Sequence, residues 1–166
     1  RSFAEIKKRL TNAVFLLVGH SADDFIDRSR ELGITFAAAD VISRRVTRSE
    51  VPALLNAADV GFCFIKSSYS SIGVSPTKLG EYLACGLPVI CNSGVGDVKE
   101  IVDATRSGVV LEGELETATI DRLEEIVELL TLNRNEIRAR SIPGLDLGIA
   151  VESYDALYRS FALVAR

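Results

Sequence analysis

Methionine and tryptophan are absent from the 166 residues, histidine occurs once and cysteine three times. Each scarcity removes a class of chemistry. His20 has no companions at zinc-ligand spacing, and Cys63, Cys85 and Cys91 form no C-x-x-C pair, so no structural metal site is expected. An odd number of cysteines, each among apolar neighbours, reads as buried reduced thiols in a reducing, cytoplasmic setting. No apolar run approaches the ~18 residues that a membrane-spanning helix needs, and the opening RSFAEIKKRL is amphipathic rather than signal-like, so membrane contact is not expected. An excess of basic charge is missing too. The net charge of −4 gives no electrostatic reason to expect a nucleic-acid partner. Arg44, Arg45 and Arg48, the one local basic cluster, read by themselves as a solvated surface. A chain that neither begins with methionine nor contains one is expected to be a piece of a longer protein.

What is present suits one domain over residues 1–166. Hydrophobic residues make up 48% and charged residues 25%, and a chain of this length buries about 70% of the surface exposed when unfolded. Apolar runs of strand length alternate with helix-period segments from end to end, which is the sequence form of a parallel α/β sheet. Val14–Val18, Val60–Ile65, Pro88–Cys91 and Gly108–Leu111 are near-continuous apolar runs, as expected of strands covered on both faces. Ile34–Ala38 and Val41–Ser43 are weaker candidates. Helices are expected over Phe3–Leu10, Asp23–Leu32 with Ser21 as cap and Gly33 as stop, Val51–Ala58 started by Thr47 or Ser49, Thr77–Cys85, Asp97–Asp103, Thr117–Leu130, Asn135–Ser141 and Leu147–Leu163. The predicted fold is a Rossmann-like, doubly wound parallel sheet of about six strands with helices on both faces.

Ligands of such folds bind beyond the carboxyl ends of the strands, which directs attention to the loops that follow strands. In the first, Gly19 and His20 stand where a strand turns into a helix. The G-x-G-x-x-G of a dinucleotide fingerprint is missing, and so is the acidic pair of a phospho-acceptor receiver domain. The loop Lys66–Ser75 is rich in serine, and Ser75-Pro76 is expected to cap the next helix, whose free N–H groups suit a phosphate. On that helix Lys78 and Glu81 share a polar arc while Leu79, Tyr82 and Leu83 face the core. Spacing by itself makes Lys78 and Glu81 an ordinary i, i+3 surface pair. Gly94-Val95-Gly96 lacks the G-K-[ST] ending of a phosphate loop and reads as a turn.

The run Ser75–Ile90, S-P-T-K-L-G-E-Y-L-A-C-G-L-P-V-I, resembles the P-x-K-x-x-E-Y/A-x-A-x-G-x-P-V signature of the C-terminal domain of glycosyltransferase family 4 and its GT-B relatives. Further pieces follow in the family's order: Ala58-Asp59-Val60, Gly96–Val102 similar to its G-x-x-E-I-V with one residue more, Gly108 opening a strand, and Ala150–Tyr158 similar to its closing A-x-x-Y-x-x-L-Y helix, again with one residue more. The resemblance implies the donor-binding half of a two-domain GT-B enzyme whose N-terminal acceptor domain lies outside this chain. It implies hexosyl transfer from a nucleotide diphosphate sugar, with retention, in the manner of polysaccharide biosynthesis. The isolated domain is then expected to bind but not to catalyse.

Carried onto this sequence, the resemblance makes Glu81 the ribose ligand. It places the diphosphate at Gly73, Val74, Ser75 and Lys78 and the base against Arg45 and Val46, with Gly19 and His20 on the first-strand loop. No metal or other cofactor is implied, and no catalytic residue is identified. One departure stands out. The first acid of the family's E-x7-E spacing falls on Gly73, which leaves the sugar contact open. Two other readings remain: a nucleotide-sugar 2-epimerase of the same architecture, and a non-enzymatic doubly wound binding module.

Overall fold

The computed structural model describes the backbone of residues 1–164 and the side chains of residues 1–161. Five strands form, β1 (Phe15–Val18), β2 (Val41–Arg44), β3 (Gly61–Cys63), β4 (Val89–Asn92) and β5 (Gly108–Leu111). The helices are α1 (Ser2–Arg9), α2 (Ala22–Glu31), α3 (Val51–Ala57), α4 (Thr77–Ala84), α5 (Val98–Thr105), α6 (Leu115–Asp121), α7 (Leu123–Glu128), α8 (Arg134–Leu145) and α9 (Leu147–Val164). Every strand pair is parallel, β1 with β2 and β3 with β4 and β5. Among the described residues no ladder joins the two sheets. The α/β class and parallel pairing therefore match the sequence reading. The sheet is smaller than the six strands expected and lies in two parts.

The second sheet shows why its strands read as continuous apolar runs. Successive side chains on a strand point to opposite faces. Val89, Cys91 and Val110 face Leu79 and Leu83 of α4, Val98 and Val102 of α5 and Ile137 of α8. Ile90, Val109 and Leu111 face Ile6 of α1, Ala118 of α6 and Ile126 of α7. Both faces are covered, and the strands are apolar except for Asn92 at the end of β4. The first sheet is held by aromatic packing: Phe3, Phe25 and Phe36 surround Phe15, and Phe15 meets Phe62 of β3 at 5.6 Å between ring centroids.

Several predicted boundaries move for identifiable reasons. Ile34–Ala38 is no strand: the Ile34 N–H closes the end of α2 on the Ser29 carbonyl, and the Ala37 N–H is taken by the Asp40 carboxylate. Such local partners compete with a ladder. The Lys7 ammonium, 2.8 Å away, and the Ala37 N–H hold the Asp40 carboxyl below its ordinary range. The single helix expected over Thr117–Leu130 breaks at Arg122, whose ψ of 16° leaves the helical range. Ser75 is no cap. The extended Pro76 is the residue before α4, no side chain caps this end, and the helix starts at Thr77. Ser21 does cap α2, accepting from the Asp24 N–H. Helix α8 runs past Ser141 with Pro143 inside it, and α9 leaves Leu147, Val151, Tyr154, Tyr158 and Phe161 exposed. Among the described residues no helix is long and apolar enough to cross a membrane.

One residue ties the helix ends under the second sheet. The Arg134 guanidinium donates to the carbonyls of Leu55, Asn56 and Ala58 at the end of α3 and of Cys85 at the end of α4, at 2.9–3.3 Å. These are the orphan carbonyls that a helix leaves at its carboxyl end, where a cation is also favoured by the dipole. Gly86 makes the approach feasible: its φ is +66°, and a Cβ there would stand 2.2 Å from the Arg134 carbonyl oxygen. Arg134→Ala is expected to cost about 2–3 kcal/mol in urea unfolding, with Arg134→Lys restoring only part because it lacks the planar fork. Gly86→Ala is expected to cost about 2–4 kcal/mol, from left-handed strain plus the clash; an unchanged unfolding midpoint would contradict it.

Candidate functional site

The loops that leave the carboxyl ends of the strands fall into two pairs. After β1, Gly19 (φ +81°) donates its N–H to the Arg44 carbonyl at 2.9 Å, and the His20 carbonyl accepts from the Ser43 hydroxyl. After β2, Arg45 and Val46 lead into a turn closed by Thr47, whose hydroxyl and N–H both reach the Glu50 carboxylate and hold it below its ordinary range. The loops after β3 and β4 form the second pair, and they enclose a cleft.

Asn92 begins the clasp between them. It is 6% exposed, and its amide is saturated: Oδ1 accepts from the Ile65 N–H at 2.9 Å, while Nδ2 donates to the Ile65 carbonyl, the Ser67 hydroxyl and the Ser93 carbonyl. Ser71, 2% exposed, continues it, its hydroxyl reaching the Ser68 and Gly94 carbonyls and its own carbonyl accepting from the Gly96 N–H. At Gly96 the approach is closest. A Cβ there would lie 2.0 Å from the Val74 carbonyl oxygen, and φ is +39°.

The resulting open cleft has a volume of about 410 Å³. One wall is Ile72–Ser75, and the other is Gly96, Asp97 and Glu100 at the start of α5. The Val74 N–H is used by the Ser71 carbonyl. The N–H groups of Ser75, Thr77 and Lys78 have no partner among the described residues. Ser75 lines the cleft, and the amino end of α4 with the exposed Lys78 follows it directly in the chain, a helix end that favours negative charge. A hollow of about 510 Å³ lies between α1 and the segment before β2, at the opposite ends of the strands. Its charged groups are already paired, Lys7 with Asp40, Lys8 with Glu5 and Arg1 with Glu116. The smaller cleft is therefore the better site.

Of the residues singled out in the sequence, the cleft gathers Gly73, Val74 and Ser75 in its wall. Lys78 and Glu81 follow on α4, both exposed, and no ion pair joins them among the described residues. Gly19, His20, Arg45 and Val46 stand at the same ends of the strands but outside the cleft lining. Sequence reasoning passed over Asn92, Ser71, Asp97 and Glu100. A polar residue ending the apolar run Val89-Ile90-Cys91 was the available signal for Asn92. Asp97 and Glu100 lie within Gly96–Val102, the stretch that resembles a family motif, but that resemblance brought no ligand role with it.

Comparison with known proteins gives the context. No curated protein sequence matches the chain. Among solved structures, a sucrose-phosphate synthase from Thermosynechococcus elongatus is similar over 98% of this chain and 42% of its own, with TM-score 0.60 and 18% identity. AviGT4, a glycosyltransferase involved in avilamycin A biosynthesis, is similar over 94% of this chain and 45% of its own, with TM-score 0.63 and 20% identity. WaaG, a glycosyltransferase involved in lipopolysaccharide biosynthesis, is similar over 84% and 37%, with TM-score 0.60 and 20% identity. At such identities the likeness is one of fold, the GT-B glycosyltransferase fold, and the chain spans less than half the length of each structure. The model of the family described as glycosyl transferases group 1 matches residues 1–129, more than three quarters of the sequence, and the chain belongs to that family.

Proposed function

We propose that this chain is the donor-binding half of a glycosyltransferase that moves a hexosyl group from a nucleoside diphosphate sugar to an acceptor, with retention. The observation that carries the reading is the juxtaposition of an open cleft with the amino end of α4, where three N–H groups lack partners and Lys78 adds a cation. A diphosphate is doubly anionic and presents several acceptor oxygens. Preorganised N–H donors and an ammonium stabilise it as the leaving group of sugar transfer, and the reading calls for no metal. Family membership gives the reaction class, and the ordered Ser75–Ile90 signature supports the donor side.

Glu81 stands one turn after Lys78 on α4 and is assigned the ribose hydroxyls, since a carboxylate accepts two hydrogen bonds. The base is assigned to the Arg45–Val46 loop. Gly19 and His20 flank it through the contacts that join the loops after β1 and β2. With only one of two domains present, the chain is expected to bind a donor without turning it over. The acceptor surface belongs to the rest of the protein.

Calorimetric titration with the four nucleoside diphosphates is expected to give binding of at least one. Lys78→Ala and Glu81→Ala should each weaken it about tenfold, the scale of one lost charge-assisted hydrogen bond. Lys78→Ala should leave binding of the corresponding phosphate-free nucleoside unchanged. Failure of the wild type to bind any of the four, or equal affinities in all three proteins, contradicts the proposal.

Asn92 gives a separate expectation. Asn92→Asp keeps the acceptor for the Ile65 N–H but turns an acceptor toward the Ile65 and Ser93 carbonyls, so the clasp around the cleft loosens. Stability in urea is expected to fall by about 2–3 kcal/mol and nucleotide affinity to fall with it under conditions where the variant is still folded. Unchanged affinity in the folded variant would separate the clasp from the binding site.

A further inference from the structure

Cys63 is the last residue of β3 and Cys91 the third of β4, and the two are direct partners in the parallel register. Paired residues of neighbouring strands point to the same face, and both belong to the cluster formed with Leu79, Leu83, Val95 and Val98. Their exposures are 2% and 0%. Neighbouring strands run about 4.8 Å apart, which lies within the range of about 4.4–6.8 Å between Cα atoms that a disulfide spans. Cys85, at the far end of α4, has no such partner among the described residues. The glycosyl-transfer reading uses none of these thiols.

We propose that Cys63 and Cys91 are one oxidisable dithiol, a modification site that a two-electron peroxide oxidant closes into a disulfide across β3 and β4. The environment makes the two sulfurs unequal. A hydrogen bond from Cys91 and the charge of Lys78 hold the Cys63 thiol below its ordinary range against the effect of burial. The hydrogen bond to Cys63 and burial push the Cys91 thiol up, above the ordinary thiol range. Cys63, which ends β3 where the loop begins, is assigned as the nucleophile, and Cys91, fully enclosed within β4, as the resolving thiol.

The Cys63 thiolate attacks one peroxide oxygen, the O–O bond breaks, and the departing hydroxide takes a proton to become water. The Cys63 sulfenic acid is then attacked by the Cys91 sulfur. An S–S bond forms, the S–O bond breaks, and the Cys91 proton leaves with the hydroxide as a second water. Two thiols lose two electrons and one peroxide gains them. Both sulfurs lie at the carboxyl end of the sheet, under the loops that surround the cleft, so local opening of those loops admits an oxidant as small as peroxide without unfolding the core.

The test treats the reduced 166-residue chain with hydrogen peroxide, then blocks free thiols under denaturing conditions and maps the peptides by mass spectrometry. The expected result is a Cys63–Cys91 linked pair with Cys85 alkylated, and a chain lighter by two hydrogen atoms. In Cys91→Ala, dimedone should trap a sulfenic acid at Cys63. In Cys63→Ala, labelling at Cys91 should be at least tenfold lower. Three alkylatable thiols in peroxide-treated wild type, or a link through Cys85, overturns the proposal. Equal dimedone labelling of the two variants overturns the assigned roles. Should either variant fail to fold by circular dichroism, the wild-type peptide map decides alone.

Discussion

The contact between Phe15 and Phe62 is the constraint on which the arrangement of the two halves depends. Hydrogen-bonded ladders hold β1 to β2 and β3 to β4 and β5, but none among the described residues crosses from β1 to β3. Side chains span the gap instead. Phe62 packs into the cluster around Phe3, Ile26, Phe36 and Val41 and also touches Phe64, so the aromatic chain runs from α1 through both sheets. Tilted and edge-on rings at 5–6 Å bring an attraction beyond the area they bury, yet they fix direction less strictly than a ladder. Hydrogen bonds thus join the loops after β1 and β2 to each other, and likewise those after β3 and β4, whereas the seam between the two sheets is hydrophobic.

Within the second unit the geometry is set by main-chain approach. Gly96 against the Val74 carbonyl and Gly86 against the Arg134 carbonyl are places where no side chain fits, and the buried amide of Asn92 occupies the space between the two loops. A buried amide is stabilising only when all its donors and acceptors are matched, and Asn92 meets that condition. The cleft is consequently shaped before any ligand arrives. Lys78 and Glu81, exposed at its edge, stay free to adapt.

How much of this was legible in the sequence follows from which interactions are local. Pro88–Cys91 and Gly108–Leu111 could be read because burial on both faces writes itself as an unbroken apolar run, whereas Val14 and Val18 at the ends of the first run are exposed; the Leu79–Leu83 face could be read because a helix repeats every 3.6 residues. Ser21 before Asp24 was legible for the same reason. Ile34–Ala38 was misread because composition does not reveal that Ser29 and Asp40 take its N–H groups. Ser75 looked like a cap, but the extended Pro76 occupies that position and the helix begins at Thr77 without a side-chain cap. The gap between β1 and β3 left no trace, since register between strands distant in sequence is a property of packing. Ser71 and Asn92 bridge the two loops through Gly94 and Ile65, 23 and 27 residues away, and the one local trace of this was the polar residue that ends the run Val89-Ile90-Cys91.

The charges of the cleft complete the argument for its orientation. Asp97 and Glu100 stand on the α5 wall, while Lys78 and the unpartnered N–H groups of Ser75 and Thr77 stand on the α4 side. Two negative groups repel a phosphate, and the amino end of α4 attracts it, so an anionic ligand has one favourable side. The hydroxyl-bearing sugar of a donor would, under the proposed function, face the α5 wall, where carboxylates accept hydrogen bonds. Gly73, where the resembling E-x7-E spacing calls for an acid, adds no carboxylate to the α4 side of the cleft. Under the proposed function the cleft therefore orders its ligand by charge: phosphate toward the start of α4, beside the ribose assigned to Glu81, and the hydroxyls of the transferred sugar toward Asp97 and Glu100.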